Sequence, residues 1–157
     1  MSRLEAHADL SALNTFRLPG RARWLATVDD GDDLVALLAD PRVSGLPRVM
    51  LGGGSNLVLR GGEIDALVIR FAPGNWAETA REGSRVCVEV AAGVRWHDLV
   101  CETVAAGLGG LENLALIPGT AGAAPVQNIG AYGVELASVF READVVDLDT
   151  GATRTLV

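Results

Sequence analysis

Apolar positions along this chain change their period several times, and each change predicts an element. Trp24 to Val28 is an apolar run of strand length. Asp29-Asp30-Gly31-Asp32 follows, offering N-cap side chains and negative charge where a helix would begin. Leu34, Val35, Leu37 and Leu38 then form one broad apolar stripe, which Pro41 ends. Val49 to Leu51 predicts a second strand running into Gly52-Gly53-Gly54-Ser55-Asn56. Leu57 to Leu59 predicts a return to extended chain, Gly61-Gly62 a turn, and Ala66 to Phe71 another strand. Residues 1–13 carry no clear period and read as a loose lead-in.

A second strand–helix unit follows the turn at Pro73-Gly74-Asn75. Val86, Val88 and Val90 alternate with Arg85, Cys87 and Glu89, the pattern of a half-buried strand over 85–91. Gly93 breaks it. Trp96, Leu99, Val100, Thr103 and Val104 recur at helical spacing, and Gly107 to Gly110 closes the helix. From Leu111 onward the periodic signal fades, and Pro118-Gly119, Gly122, Gly130 and Gly133 punctuate a stretch of small residues. Val139 to Asp147 alternates again, and Asp149-Thr150-Gly151 turns into Ala152 to Val157, where the chain stops partway through a hairpin strand. That ending reads as truncation of a longer protein. Strands outnumber helices by more than two to one and often connect by tight turns, so the class is α+β rather than a Rossmann repeat.

Charge and composition narrow the chemistry. The net charge is −7, and a basic face of the kind that phosphate neutralisation requires is missing, which argues against nucleic acid. All 13 basic residues are arginine, so these residues offer neither a Walker-type phosphate lysine nor a Schiff-base lysine. Cys87 and Cys101, with His7 and His97, lack metal-ligand spacing, and no metal is expected. The cysteines fit reduced thiols. No apolar run reaches the length of a membrane span, and the first residues do not form a signal peptide. The expected compartment is the cytoplasm.

Two loops carry candidate chemistry. Leu51-Gly52-Gly53-Gly54-Ser55-Asn56 turns out of a buried strand, and consecutive main-chain N–H groups in such a turn can hold a phosphate or pyrophosphate without a cation. Leu57 stands where the G-x-G-x-x-G fingerprint needs glycine, so a dinucleotide-binding helix is not predicted; a plain hairpin turn is the alternative. The second loop runs Ile117-Pro118-Gly119-Thr120-Ala121-Gly122-Ala123-Ala124-Pro125-Val126-Gln127-Asn128-Ile129-Gly130-Ala131-Tyr132-Gly133. Gln127 and Asn128 place two amides among apolar neighbours and must find partners. Tyr132, the only tyrosine, is flanked by Ala131 and Gly133. So long a loop of restricted composition points to function more than to a connector.

Together these loops resemble the UDP-N-acetylenolpyruvoylglucosamine reductases. Gly53-Gly54-Ser55-Asn56 resembles that family's first flavin-pyrophosphate loop, and residues 111–136 resemble its second flavin loop. Asn14-Thr15-Phe16 matches its N-terminal signature, and residues 92–100 its strand-to-helix junction. The resemblance spans residues 14–157. It implies a two-lobed FAD-binding domain of the vanillyl-alcohol-oxidase (PCMH) type, truncated before the substrate domain, with lobe 1 at 14–72 and an incomplete lobe 2 at 73–157. FAD, held without a covalent bond, would lie between the lobes. Leu51 to Leu57 would hold its pyrophosphate. Ile117, Pro118, Gly119, Thr120, Gly122 and Ala123, with Gln127, Asn128, Gly130 and Ala131, would line the ring and ribityl chain, and Tyr132 would touch substrate. Some relatives carry Ser at Ala123 and Ala124, which would remove a hydroxyl contact here.

The implied reaction is NADPH-dependent reduction of UDP-N-acetylglucosamine enolpyruvate to UDP-N-acetylmuramate, a peptidoglycan precursor step tied to cell shape and division. The family's catalytic Ser, Arg and Glu would lie beyond Val157, so this segment alone should not turn over. The missing C-terminal domain, NADPH and the enolpyruvyl substrate are the implied partners. Two alternatives remain at this point: a flavin oxidase of the same fold, and a non-catalytic flavin-binding module. A covalent flavin attachment would need a histidine near the first loop, and none lies in 50–60. His97 falls at the edge of its helix stripe, in a surface or capping position.

Overall fold

In a computed structural model that describes residues 2–157, the chain folds as two compact units. One is built from the residues up to Ala72 together with Glu142–Val157, the other from Pro73–Arg141.

The first unit carries a four-stranded sheet. Its strands are β1 (Arg3–Asp9), β2 (Arg21–Val28), β3 (Arg48–Met50) and β4 (Glu63–Phe71), in the order β1-β2-β4-β3. β1 runs antiparallel to β2, whereas β4 is parallel to both β2 and β3. In β4 the consecutive residues Ala66, Leu67, Val68 and Ile69 are all buried, as befits a central strand covered on both faces. Successive side chains of a strand point to opposite faces. Val68 therefore joins a core with Leu10, Leu25, Leu51 and Leu59, while Leu67 and Ile69 join another with Val28, Leu34, Leu37 and Val43. Helix α1 (Gly31–Leu38) starts where the acidic cluster predicts: the Asp30 carboxylate accepts the Asp33 N–H at 2.8 Å.

Four expectations for this unit need correction. Residues 3–9 are a strand, not a loose lead-in, although only Ala8 of its side chains is buried. Small apolar residues on an edge strand give little period-two contrast. Leu57 to Leu59 is not a strand: Leu59 is buried in the core, but the segment pairs with no neighbour. Residues 142–157 group with this unit rather than with the second lobe at 73–157. Strands β9 (Ala143–Val146) and β10 (Thr153–Leu156) form a hairpin whose Val146, with Leu148, packs on the Leu34–Leu37 core. The expected alternation over 139–147 is a strand only at 143–146. Alternation reveals a strand but not which core its apolar face will cover.

The hairpin turn depends on Asp147. Its carboxylate accepts the N–H groups of Thr150 at 2.8 Å and Asp149 at 3.0 Å and the Thr150 hydroxyl at 2.9 Å. These bonds, the Thr150 N–H foremost, hold this exposed acid below the usual carboxylate range. A depressed folded pKa stabilises the turn above the unfolded value, near pH 4, and that stabilisation fades as pH falls through the folded value. Protection of the Gly151 N–H, which donates to the Asp147 carbonyl at 2.8 Å, measured against its intrinsic exchange rate at each pH, should therefore fall in acid. Asp147→Asn should flatten that pH dependence; a profile identical to wild type would refute the turn's reliance on the charge.

The second unit holds the hairpin β5 (Trp76–Glu82) and β6 (Arg85–Val90), helix α2 (Trp96–Ala105), and a two-residue-per-strand hairpin of β7 (Gly130–Ala131) and β8 (Val134–Glu135). Its core gathers Val94, Trp96, Leu99, Val100, Leu114, Ala124, Ile129 and Leu136. β5 was not expected, because Trp-Ala-Glu-Thr-Ala-Arg-Glu has no apolar face: after Trp76 every residue is exposed, and the ladder to β6 makes the strand. Val104, assigned to the α2 stripe, is exposed, and the buried face is Trp96, Leu99, Val100 and Thr103.

Candidate functional site

The first loop leaves β3 at Leu51, whose N–H still donates to Ile69 at 2.7 Å. Beyond it the chain bends away from the sheet. Gly52, Gly53 and Asn56 are exposed and Ser55 half-buried. Among the described residues, no protein acceptor takes the N–H of Gly52, Gly53, Gly54, Ser55 or Asn56. Gly54 alone of the three glycines is buried. Its φ is +67°, and a Cβ there would overlap the Leu13 carbonyl oxygen and come within 2.9 Å of the Asn14 Cα. Only glycine satisfies both conditions. The result is a bend whose neutral N–H donors take no acceptor among the described residues, which suits a phosphate-bearing group. Val58, just after it, is a large exposed apolar residue, and Leu57 is half-buried.

The second loop is stitched to the start of α2. The Trp96 N–H donates to Gly119 at 3.1 Å, the Ala121 N–H to Val94 at 2.8 Å, and the Gly122 N–H to Ala92 at 2.9 Å. A Cβ at Gly122 would lie 2.7 Å from the Ala92 Cβ, so this stretch closes on 92–96 only because Gly122 has none. Gly119 has φ +121° with open space where a Cβ would stand. Ile117, Thr120 and Ala123 are half-buried, while Pro118, Gln127 and Gly130 are exposed. The loop is thus partly open, with small residues along a fixed main chain, as the approach of a flat ring requires.

The two amides expected to need partners behave differently. Gln127 is exposed. The Asn128 side chain is committed within the protein: its NH2 donates to Glu135 at 3.1 Å and its oxygen accepts the Ala137 N–H at 3.3 Å. Asn128 also adopts φ +40°. Its contribution is to fold 128–137; its main-chain N–H is also engaged, donating to the Pro125 carbonyl at 3.2 Å. Ala131 is half-buried in β7. Tyr132 and Gly133 form the two-residue tip between β7 and β8, with φ of +53° and +79°, a type I′ turn. A tyrosine in that region is strained, and strain of this kind gathers at functional positions. Its side chain is 89% exposed.

His97 lies on the edge of α2, as the stripe predicts. Its Nδ1 accepts the Leu116 N–H at 3.2 Å, and Leu116 itself has φ +63°. The Cys101 sulfur lies 3.6 Å from His97 Nε2. His97 therefore props the approach to the second loop. Arg95 makes an exposed pair with Asp98 at 3.5 Å. The Glu112 carboxylate is held below its ordinary range by its own N–H first and then by those of Gly110 and Leu111, which makes it a turn cap. Among the described residues no cluster of three or more His, Cys, Asp or Glu could hold a metal, and no helix is long and apolar enough to cross a membrane.

Asn14 enters the sequence reading only through the Asn14-Thr15-Phe16 signature, with no role of its own assigned. It is a buried polar side chain at 3% exposure, on the 10–18 segment against which Gly54 packs. The signal was there: an asparagine embedded among Leu10, Leu13 and Leu18 has to be satisfied by main chain.

Comparison with known proteins fits these loops. A family model described as "FAD binding domain" matches residues 22–156. The UDP-N-acetylenolpyruvoylglucosamine reductase of Azoarcus sp. (strain BH72) is 53% identical over 151 residues, covering 94% of this chain and 44% of the relative. The same-named protein of Cupriavidus pinatubonensis is 54% identical over 138 residues, covering 87% and 40%. Among solved structures, the UDP-N-acetylenolpyruvylglucosamine reductase (MurB) from Thermus caldophilus superposes with a TM-score of 0.75 at 29% identity, covering 99% of this chain and 53% of that one. The chain thus spans about two fifths to just under half the length of the curated relatives it matches.

Proposed function

This chain belongs to the FAD binding domain family, and from that premise we propose that it is the flavin-holding N-terminal portion of a UDP-N-acetylenolpyruvoylglucosamine reductase. The observation that carries the reading is the bend at Gly52–Asn56, with its run of unpartnered N–H groups. Those donors take the FAD pyrophosphate, and Leu51 and Leu57 anchor the bend at either end. The main chain of 117–123 and 127–131 lines the ring and ribityl portion, kept close by Gly119 and Gly122 and held in shape by Asn128. Tyr132, exposed on its strained turn, contacts the sugar nucleotide.

FAD, when bound, carries hydride equivalents from NADPH to the enolpyruvyl double bond of the UDP-linked substrate. The residues of this chain bind and orient; the proton donor and the charge-stabilising residues belong to the length of the relatives that this chain does not span. A reaction on a nucleotide-activated wall precursor places the protein in the cytoplasm. The flavin is non-covalent: the first loop has no histidine, and His97 is engaged with Leu116.

The test is made on the intact protein. It should be yellow as purified, release its flavin to the supernatant on acid precipitation, and oxidise NADPH only when UDP-N-acetylglucosamine enolpyruvate is present. A protein that takes up no FAD when supplied would end the proposal. Flavin remaining in the acid pellet would favour an oxidase of the same fold instead.

A further inference from the structure

The N–H groups of a phosphate-binding bend are useful only if their directions are fixed, and Gly54 cannot fix them, since glycine is the least restrained residue. The restraint comes from the segment behind it. Asn14 uses nearly its whole hydrogen-bonding capacity on main chain nearby. Its Nδ2 donates to Leu10 at 2.9 Å and Leu18 at 3.0 Å, with a longer contact to Ser11 at 3.4 Å. Its Oδ1 accepts the Leu18 N–H at 2.9 Å. One side chain thereby closes residues 10–18 into a fixed loop.

That loop meets Gly54 in two ways. The Leu13 carbonyl and Asn14 Cα occupy the space where a Gly54 side chain would go. The Thr15 N–H donates to the Gly54 carbonyl at 3.2 Å. A trans peptide holds its C=O and the following N–H in opposite directions. Pinning the Gly54 carbonyl onto Thr15 therefore aims the Ser55 N–H away from the 10–18 loop. We propose that Asn14 is a positioning residue for the FAD pyrophosphate, acting through Thr15 and the Gly54–Ser55 peptide to hold the Ser55 N–H in its binding direction. This rests on the flavin reading of the Gly52–Asn56 bend given above.

The test separates the pyrophosphate from the ring. Intact protein, wild type and Asn14→Ala, is titrated with FAD and with riboflavin, which has the ring but no phosphates. A hydrogen bond to a charged group is worth enough that its loss weakens binding roughly tenfold or more. Asn14→Ala should thus bind FAD at least about tenfold more weakly while its riboflavin affinity is unchanged. Equal losses for both ligands, or no loss for either, would overturn the role of Asn14. Should wild type itself bind FAD no better than riboflavin, the pyrophosphate reading fails, and this proposal with it.

Thr15→Pro provides the second variant, and it decides the matter if Asn14→Ala does not fold. It deletes the N–H that holds Gly54 yet leaves the Asn14 clamp in place. Asn14 has φ −137° and ψ 147°, the extended conformation that a residue before proline prefers. The same split between FAD and riboflavin is expected; parallel binding curves would overturn the proposal.

Discussion

Gly54→Ala strips the protein of FAD and lowers its stability by about 3 kcal/mol. Two costs combine. A non-glycine residue at φ +67° is strained by about 1–2 kcal/mol, because its Cβ crowds the following carbonyl. The added methyl also overlaps the main-chain oxygen of Leu13, and no rotamer change relieves a clash with backbone. Relief requires either the 10–18 loop or the 52–56 bend to move. The Asn14 clamp resists the first, so the bend gives way and the Ser55 N–H loses its fixed direction. The flavin-to-protein absorbance ratio of the purified variant reads the binding loss, and a thermal melt reads the stability. Full flavin content at an unchanged melting temperature would refute the placement of Gly54 as the pivot. Gly45 is an internal comparison: it too has positive φ, at +73°, but open space for a Cβ. Gly45→Ala carries the strain alone and leaves flavin retention intact.

The parts of the fold legible in the sequence are those whose signal is local. The α1 start was visible because Asp30 caps it with its own side chain. The central strand β4 was visible because burial on both faces makes it apolar throughout. β1 and β5 were not, since their existence depends on ladder partners distant in sequence rather than on a buried face of their own. The affiliation of 142–157 was likewise hidden: Val146 and Leu148 are apolar in any context, and only the three-dimensional gap beside α1 decides where they pack. At the candidate site the same division holds. Composition marked the glycine-rich bend and the small-residue loop. It could not distinguish Asn128, whose amide is consumed by Glu135 and Ala137, from a ligand-contacting asparagine, because both look like a polar residue in an apolar stretch. Nor could it connect Asn14 to Gly54 across the 39 intervening residues, a link made of main-chain atoms that every residue possesses.

Trp96→Ala destabilises the second unit by about 4 kcal/mol, the range for removing a buried indole. Trp96 is 4% exposed in the core with Leu99, Leu114 and Ile129. Volume is only part of its role. The indole Nε1–H donates to the Leu114 carbonyl at 2.8 Å, while the Trp96 main-chain N–H donates to Gly119 at 3.1 Å. One residue at the first turn of α2 thus grips both ends of 114–119, the limb that leads into the second loop. Trp96→Phe separates the two contributions. It keeps most of the packing and the main-chain bond but leaves the buried Leu114 carbonyl without its donor, at a cost of about 1–3 kcal/mol. Hydrogen exchange within 114–122 should then accelerate more than exchange in β5 and β6, and FAD should dissociate faster. If Trp96→Phe matches wild type in both while Trp96→Ala melts early, the indole is filler for the core and the second loop takes its shape from the Gly119–Gly122 stitches alone.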